Sequence, residues 1–298
     1  MKKGIVLSVF SSVLFSVLYY YSTVLYPLGG AEIFSWRVLL ALPALALLIT
    51  RGRAWGEVAQ VARRLCREWT LALSLIASAA LIGVQLWLFM WAPLHQKALD
   101  VSLGYFLLPL VMVLVGRLFY RERLSATQWV AVAIAAVGVV HELYRVNAFS
   151  WATVVVMLGY PPYFMLRRVL RIGSLTSLWF DMLLLAPVAV FILQTQDVGV
   201  IGQFFNHPRL LGLIPVLGLI SSVALVSYIA ASRLLPLGLF GILGYVEPIL
   251  LFWVALLFLN ESMAPGAWFT YIPIWIAISV IVAEGLLAWV KEARRTCS

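Results

Sequence analysis

The chain has 298 residues, of which 64% are hydrophobic and 11% are charged, with a formal net charge of +9. A soluble domain carries about 25% charged residues, so this chain has too little polar surface to form a water-facing globule. The mean hydropathy of +1.03 is that of an integral membrane protein. Apolar runs of about 20 residues have the length that a helix needs to cross the hydrocarbon core, and the chain lacks the sequence alternation that is typical of a transmembrane barrel.

These apolar runs predict ten membrane spans. The spans lie at about 4–25, 31–50, 70–92, 98–118, 126–143, 150–168, 174–194, 210–232, 236–258 and 265–289. The longest internal connections are the basic segment Arg51–Trp69, which could form an amphipathic helix, and the segment Gln194–Arg209. Lys2 and Lys3 precede the first run without a small-residue cleavage site, so we expect that run to be a span and not a cleaved signal.

The distribution of lysine and arginine predicts the orientation of the chain. With the N-terminus inside, the outer connections hold Lys97, Arg145 and Arg209, and every other lysine and arginine except Arg37 lies in an inner segment. Inner connections of membrane proteins are enriched in these two residue types. We therefore expect both termini on the cytoplasmic side of a bacterial inner membrane. Basic residues placed between apolar runs would meet the anionic lipid bilayer, and no nucleic-acid partner is predicted.

A repeat at an offset of 139 residues relates the two halves of the chain. The matching pairs are Pro109 and Pro248, Phe119 and Phe258, Glu122 and Glu261, and Trp129 and Trp268. The offset covers five spans, and because five is odd the second copy enters the membrane from the opposite side. We therefore predict two inverted five-helix repeats, 1–143 and 150–298, within one compact membrane domain. This is the architecture of a secondary transporter, with its substrate near the midplane.

Three ionisable residues inside predicted spans are candidate substrate contacts. Glu247 lies about halfway along the ninth span, where a charged side chain costs at least about 2.5 kcal/mol on insertion scales. It would bind a cationic group or carry a coupling proton, or it would be a structural carboxyl group beside Pro248. Asp181, in the seventh span, carries the same cost. Arg37, in the second span, would hold a substrate carboxylate, pair with an acid such as Asp181, or extend towards the outer surface.

Uncharged residues complete the predicted site. Gln85 in the third span is costly to bury in a membrane, so we expect it to face inwards. Three aromatic residues rank highest because they lie in the repeat-forming spans or beside polar residues: Tyr105, Tyr228 and Tyr245. Rings with few polar groups suit amphipathic solutes that are amino-acid-like, aromatic or cationic. Pro109 and Pro248 each free a backbone carbonyl and are predicted as hinges, the alternative being a simple bend.

The sequence contains no recognisable catalytic or metal-binding arrangement. The histidines, His95, His141 and His207, lie in separate predicted outer segments without a metal-ligand spacing. The chain has no phosphate-binding loop of the Walker A type, so direct drive by ATP is not expected from it. We therefore predict no cofactor, no metal and no enzymatic activity.

The segment from Ala98 to Phe106, followed by Pro109 and Glu122, resembles the RarD-type branch of the EamA family in the drug/metabolite transporter superfamily. The resemblance runs through nearly the whole chain and includes Arg37, Phe89, Trp91, Trp129, Tyr245-Val-Glu-Pro248 and Glu261. It implies ten helices in two inverted repeats of five, and transport of small metabolites or drugs, with drug resistance as a family label. The chain has Leu108 and Gln85 where the family pattern has asparagine, which bears on the polarity of the substrate cavity.

The sequence therefore predicts an all-α integral membrane protein that moves small organic metabolites or drugs across the cytoplasmic membrane by alternating access. Proton coupling through Glu247 and facilitated diffusion or exchange both fit the residues. The alternatives are a non-transporting membrane receptor or assembly subunit, and an intramembrane enzyme, for which a catalytic pair would be needed.

Overall fold

The computed structural model describes residues 2–65, 67–121, 125–146, 150–195, 204–235, 239–240, 243–263 and 265–296. The described helices are α1 (Lys2–Val24), α2 (Gly30–Arg51), α3 (Trp55–Leu65), α4 (Trp69–Trp91), α5 (Ala98–Tyr120), α6 (Ala126–Val146), α7 (Trp151–Leu170), α8 (Ser174–Gln194), α9 (Leu210–Leu234), α10 (Val246–Leu257) and α11 (Trp268–Thr296). A 3₁₀ helix, Ala92–His95, continues α4. Glu122 of the repeat motif lies outside the described residues.

The helices confirm the prediction of an all-α membrane protein. Within the described residues, α1, α2, α4 with its 3₁₀ extension, α5, α8 and α9 are long and apolar enough to cross a membrane, and α6, α10 and α11 contain shorter apolar helices. Most helix ends agree with the predicted spans within a few residues, and the seventh span, 174–194, coincides with α8. The basic connection after α2 is also partly helical, since it contains α3.

The ninth predicted span differs from the structure. Gly244 and Tyr245 form a turn, and α10 begins only at Val246. Glu247 and Pro248 therefore lie in the first turn of a helix, directly after a turn that interrupts the predicted span 236–258 near its middle. The physical reason is that proline has no N–H to donate, which costs nothing in a first turn whose N–H groups lack partners within the helix. Pro109, by contrast, lies inside α5.

The chain forms two compact units, and each unit takes segments from both halves of the sequence. The first, called the α5 unit, comprises 1–13, 96–161 and 230–298, and the second, called the α2 unit, comprises 14–95 and 162–229. In the α5 unit α6 packs against α11 and α5 against α10, and in the α2 unit α8 packs against both α2 and α4. The pairs α2–α8, α5–α10 and α6–α11 are also the pairs that the 139-residue offset relates. The superposition of the two halves stays a prediction.

Small residues allow the helices of the α5 unit to approach closely. A Cβ atom placed on Gly138 of α6 would lie 2.6 Å from the carbonyl oxygen of Thr270 in α11. One placed on Gly104 of α5 would lie 2.6 Å from the Cβ of Val156 in α7. Membrane helices use glycine in this way because the hydrophobic effect does not drive their association in lipid. Close van der Waals packing must stabilise the association instead.

Aromatic rings fill the core of the α5 unit. The ring of Phe252 lies 4.9 Å from that of Tyr271 and 5.1 Å from that of Trp275, measured between centroids, and the second pair is almost perpendicular at 89°. Edge-to-face pairs of this kind are favourable beyond the area that they bury. Tyr245, a predicted site residue, is buried in the same cluster. Packing therefore accounts for its position in this unit.

Helix α3 is attached to the beginning of α8 within the α2 unit. Val58 and Val61 of α3 are buried, whereas its arginines are exposed. Glu57 accepts a hydrogen bond from the backbone N–H of Gly173 at 2.7 Å and another from the hydroxyl of Thr176 at 2.9 Å. A carboxylate at a helix N-terminus satisfies free N–H groups and interacts favourably with the helix dipole. This contact fixes the first turn of α8.

Candidate functional site

Asp181 is completely buried in the α2 unit, with 0% of the residue exposed. Ser78 of α4 donates its hydroxyl to Oδ1 at 2.9 Å. Tyr163 and Arg167 of α7 donate to Oδ2, each at 3.2 Å. Residues of three helices thus meet at one carboxylate. A charged side chain buried among membrane helices is costly unless it is paired, and these donors provide the pairing. The predicted inward position of Asp181 is therefore where the structure places it.

Arg167 links this buried carboxylate to the surface of the unit. Its side chain is 17% exposed and forms the ion pair with Asp181 through Nη1. Its Nη2 donates to the carbonyl oxygen of Ser174, the exposed first residue of α8, at 3.0 Å. The sequence suggested Arg37 as a partner for Asp181, whereas the ion pair in the structure is formed by Arg167. In the sequence, Arg167 contributes only to the prediction of orientation, as one of the basic residues of an inner segment.

Ser177 lies one helical turn before Asp181 on the same face of α8. The residue is fully buried, and its hydroxyl has no hydrogen-bond partner among the described residues. A buried hydroxyl without a partner is costly, so this oxygen is available to a polar group that enters beside Asp181.

A second buried charged group of the α2 unit is the guanidinium of Arg37, with 9% of the residue exposed. Its guanidinium carbon lies 5.3 Å from the ring centroid of Phe89 and 5.9 Å from that of Phe15. Its Nε donates to the hydroxyl of Ser221 at 3.1 Å. A guanidinium within about 6 Å of a ring is attracted by the negative face of that ring. The ring of Tyr228, a predicted contact, lies 6.3 Å from Phe15 and so borders the same group.

One face of α4 connects the two charged centres. Ser78, Gln85 and Phe89 are all buried, and their spacing of seven and then four residues places them on the same side of a helix. Ser78 contacts Asp181, and Phe89 contacts Arg37. Gln85, which the sequence predicted to face inwards, lies between them. The three residues span about 16 Å at the usual rise of an α-helix.

The remaining predicted residues belong to the α5 unit. The hydroxyl of Tyr105 lies 3.0 Å from that of Tyr160 on α7, with their rings 5.7 Å apart. Glu247 is half-buried in the first turn of α10, and Tyr245 is buried in the aromatic core. Arg37, Gln85, Asp181 and Tyr228 therefore lie in the α2 unit, and Tyr105, Tyr245 and Glu247 lie in the α5 unit.

Glu261, which the sequence singled out through the repeat and the family resemblance, caps α5. Its carboxylate oxygens accept the N–H groups of Ala98 at 2.7 Å and Leu99 at 2.8 Å, although only 6% of the residue is exposed. Burial raises the pKa of Glu261, and the two N–H groups and Lys97 partly offset this effect. The contact joins residues more than 160 positions apart, so no local sequence signal could have predicted it.

A metal centre is not evident in the part of the chain that the structure describes. No group of three or more histidine, cysteine, aspartate or glutamate side chains could hold an ion there. The cluster around Asp181 instead combines one carboxylate with hydroxyl and guanidinium donors, which suits binding of an organic solute better than ligation of a metal.

The chain is similar, over almost its full length, to bacterial proteins that are named RarD or uncharacterized transporter. No protein-family model matches the chain. It is 46% identical to the chloramphenicol-sensitive protein RarD of Pseudomonas aeruginosa over 98% of each chain. It is 40% identical to an uncharacterized transporter of Pasteurella multocida, over 96% of this chain and 98% of that one, and 27% identical to protein RarD of Salmonella typhimurium over 98% of both.

A solved crystal structure has the same fold. It superimposes with a TM-score of 0.55 at 17% identity and covers 95% of this chain and 98% of that chain. The likeness shows the fold alone, because the identity is low. The relatives in Pseudomonas and Pasteurella, with their near-complete coverage, show more: this chain belongs to the RarD family of multi-pass bacterial membrane transporters.

Proposed function

We propose that the protein is a secondary transporter that moves small organic solutes across the bacterial cytoplasmic membrane by alternating access. Family membership supports transport, and the observation that carries the finer proposal is the buried face of α4. This face runs from the Asp181 carboxylate through Gln85 to the Arg37 guanidinium. Its length of about 16 Å is about half of the hydrocarbon thickness of about 30 Å. Charged side chains buried among membrane helices mark substrate or ion pathways.

The chemistry along this face favours an amphipathic solute. The rings of Phe15 and Phe89 beside Arg37 suit an apolar or aromatic body next to an anionic group. Gln85 offers both a donor and an acceptor, and Asp181 suits a cationic group. An amino-acid-like, aromatic or cationic solute would match these contacts. We propose Tyr228 as a further contact on this face, and Tyr105, Tyr245 and Glu247 as substrate contacts within the α5 unit. We also propose Pro109 and Pro248 as hinges, and a topology with both termini in the cytoplasm.

Uptake into proteoliposomes tests the proposal. A panel of amino acids, amines and chloramphenicol-like compounds should include at least one solute that enters faster than into empty vesicles. Arg37→Lys keeps the positive charge but loses the planar group that stacks on the rings. We expect it to raise the KM for that solute about tenfold, equivalent to about 1.4 kcal/mol, and to leave the folded fraction unchanged.

Arg209→Lys is the matched control for Arg37→Lys. Arg209 is exposed and donates to the carbonyl oxygen of Tyr26, so this exchange should leave the KM unchanged. An absence of flux for every solute, or equal KM values for the wild type and Arg37→Lys, would favour the alternative of a receptor or assembly subunit.

The role of Glu247 separates proton coupling from exchange. If Glu247 carries the coupling proton, Glu247→Gln should abolish the response of uptake to an imposed pH gradient and retain counterflow of labelled against unlabelled solute. The measurement is the ratio of uptake with and without the gradient in the two proteins. A gradient response that survives in Glu247→Gln would contradict proton coupling at this residue.

A further inference from the structure

The ion pair between Arg167 and Asp181 has the geometry of a contact that can be exchanged. Only Nη1 of the guanidinium reaches the carboxylate, and it does so at 3.2 Å. A charge-assisted hydrogen bond is typically about 2.7–2.9 Å long, and arginine usually holds a carboxylate through two parallel bonds. Here Nη2 points to the carbonyl oxygen of Ser174 instead. The Asp181 carboxylate thus has one long contact with the guanidinium of Arg167, and this guanidinium also binds the carbonyl oxygen of Ser174 at the start of α8.

The surroundings of Asp181 offer more acceptors than Arg167 uses. The hydroxyl of Ser177 is fully buried one turn away and has no partner among the described residues. Ser78 and Tyr163 reach the carboxylate from α4 and α7, and a serine hydroxyl that donates its hydrogen keeps lone pairs that can accept a further donor. An ammonium or guanidinium group, with three or more N–H donors, would satisfy the carboxylate and these hydroxyls together.

The guanidinium of Arg167 can occupy another position, at the surface of the unit, when it is released from Asp181. Its side chain is partly exposed, and Ser174, the first residue of α8, is exposed. Long arginine side chains readily move their charged end to water while the aliphatic part stays packed. The side chain of Arg167 can therefore keep its contact with Ser174 while it releases the carboxylate.

We infer that Asp181, with Ser177, Ser78 and Tyr163, forms a binding site for an organic cation with an ammonium or guanidinium group, and that Arg167 occupies this site as a tethered substitute. A solute of this class binds by displacing the guanidinium of Arg167 from the carboxylate. The inference deepens the proposed transport function because it names the cationic end of the solute. It also gives Arg167 a role as an internal competitor that closes the site when no solute is bound.

The inference is tested by chemical rescue of a variant that lacks the tethered cation. Arg167→Ala leaves the Asp181 carboxylate buried and without its ion pair, so its melting temperature in detergent should fall well below that of the wild type. Guanidinium and methylammonium ions at low concentration should then raise the melting temperature of Arg167→Ala by about 3 °C or more, since a ligand that binds only the folded state stabilises it. The wild type, whose site is filled by Arg167, should show a much smaller rise.

The control is the double variant Arg167→Ala/Asp181→Asn, which keeps the space but lacks the charge. Its melting temperature should not respond to either cation, and sodium ions at the same ionic strength should rescue neither variant. Equal responses of Arg167→Ala, the double variant and the wild type would overturn the inference, as would rescue by sodium. This experiment needs no uptake, so rescue in a protein that transports nothing would contradict the proposed function and leave the site in place.

A competition measurement completes the test. Arg167→Gln removes the internal competitor and keeps a polar side chain of similar length. We expect its dissociation constant for methylguanidine to be at least about tenfold lower than that of the wild type, a difference that a purely structural arginine would not produce. An unchanged or weaker affinity in Arg167→Gln would show that Arg167 does not occupy the cation site.

Discussion

Asp181→Asn should lose uptake of every solute and should destabilise the protein by about 3–5 kcal/mol. Removal of one partner of a buried ion pair leaves the other charge without compensation, and this is the usual cost of that change. The guanidinium of Arg167, 17% exposed, would lose its ionic partner, and the hydroxyl of Tyr163 would lose a charged acceptor. Thermal unfolding in detergent and uptake into proteoliposomes measure the two effects.

A double replacement separates stability from function at the same site. Asp181→Leu together with Arg167→Met removes both charges and keeps apolar side chains of similar volume, a change that is often neutral or stabilising for buried ion pairs. We expect it to recover most of the lost stability and no uptake. A double variant that transports like the wild type would show that the pair is structural, whereas Asp181→Asn with full stability would contradict the burial argument.

Gly138→Ala should destabilise the α5 unit by about 1–3 kcal/mol, the usual cost of overpacking a well-packed interface. The added Cβ would meet the backbone carbonyl of Thr270 at 2.6 Å and the side chains of Ile274 and Pro273 at 3.3 and 3.4 Å. Because the nearest atom belongs to the backbone of α11, no side-chain rotation can relieve the contact. Helices α6 and α11 would have to move apart, and differential scanning calorimetry or thermal unfolding would record the loss.

Gly212→Ala is the matched control for this prediction. No atom lies within 4 Å of a Cβ added at Gly212 in the first turn of α9, so the exchange should be neutral or slightly stabilising, because alanine favours a helix more than glycine does. Equal melting temperatures for Gly138→Ala and the wild type would mean that the two helices are not held at the distance that the structure gives.

Hydropathy was sufficient to locate the helices. In lipid, the backbone N–H and C=O groups of a segment such as α8 must form hydrogen bonds with one another, because no water is present. An apolar run of the right length therefore forms a helix. The predicted bounds 174–194 and those of α8 coincide for this reason. The interruption of the ninth span was not predicted because hydropathy does not register a turn. Gly244 and Tyr245 interrupt an apolar run without adding polar residues.

The partners of the buried charges could not be predicted in the same way. The cost of burying Asp181 indicates that it has a partner, but it does not say which one. Arg167 is only 14 residues away, but its position near the predicted membrane surface indicated a basic residue that sets the orientation of the chain. Ser78 is 103 residues away on another helix. The rotation of each helix about its axis decides such contacts, and composition contains no measure of it. The capping of α5 by Glu261 escaped prediction for the same reason.

Each compact unit draws on both halves of the chain, and this limits what a half-length protein could do. A fragment ending at residue 143 would contain α2, α5 and α6 but would lack α8, α10 and α11, the helices against which they pack. Neither unit would be complete, and the fragment could bury these surfaces only by assembling with another molecule. If the two halves are inverted repeats, as the 139-residue offset predicts, a five-helix ancestor would have worked as a pair of oppositely inserted copies before gene fusion made that pairing permanent.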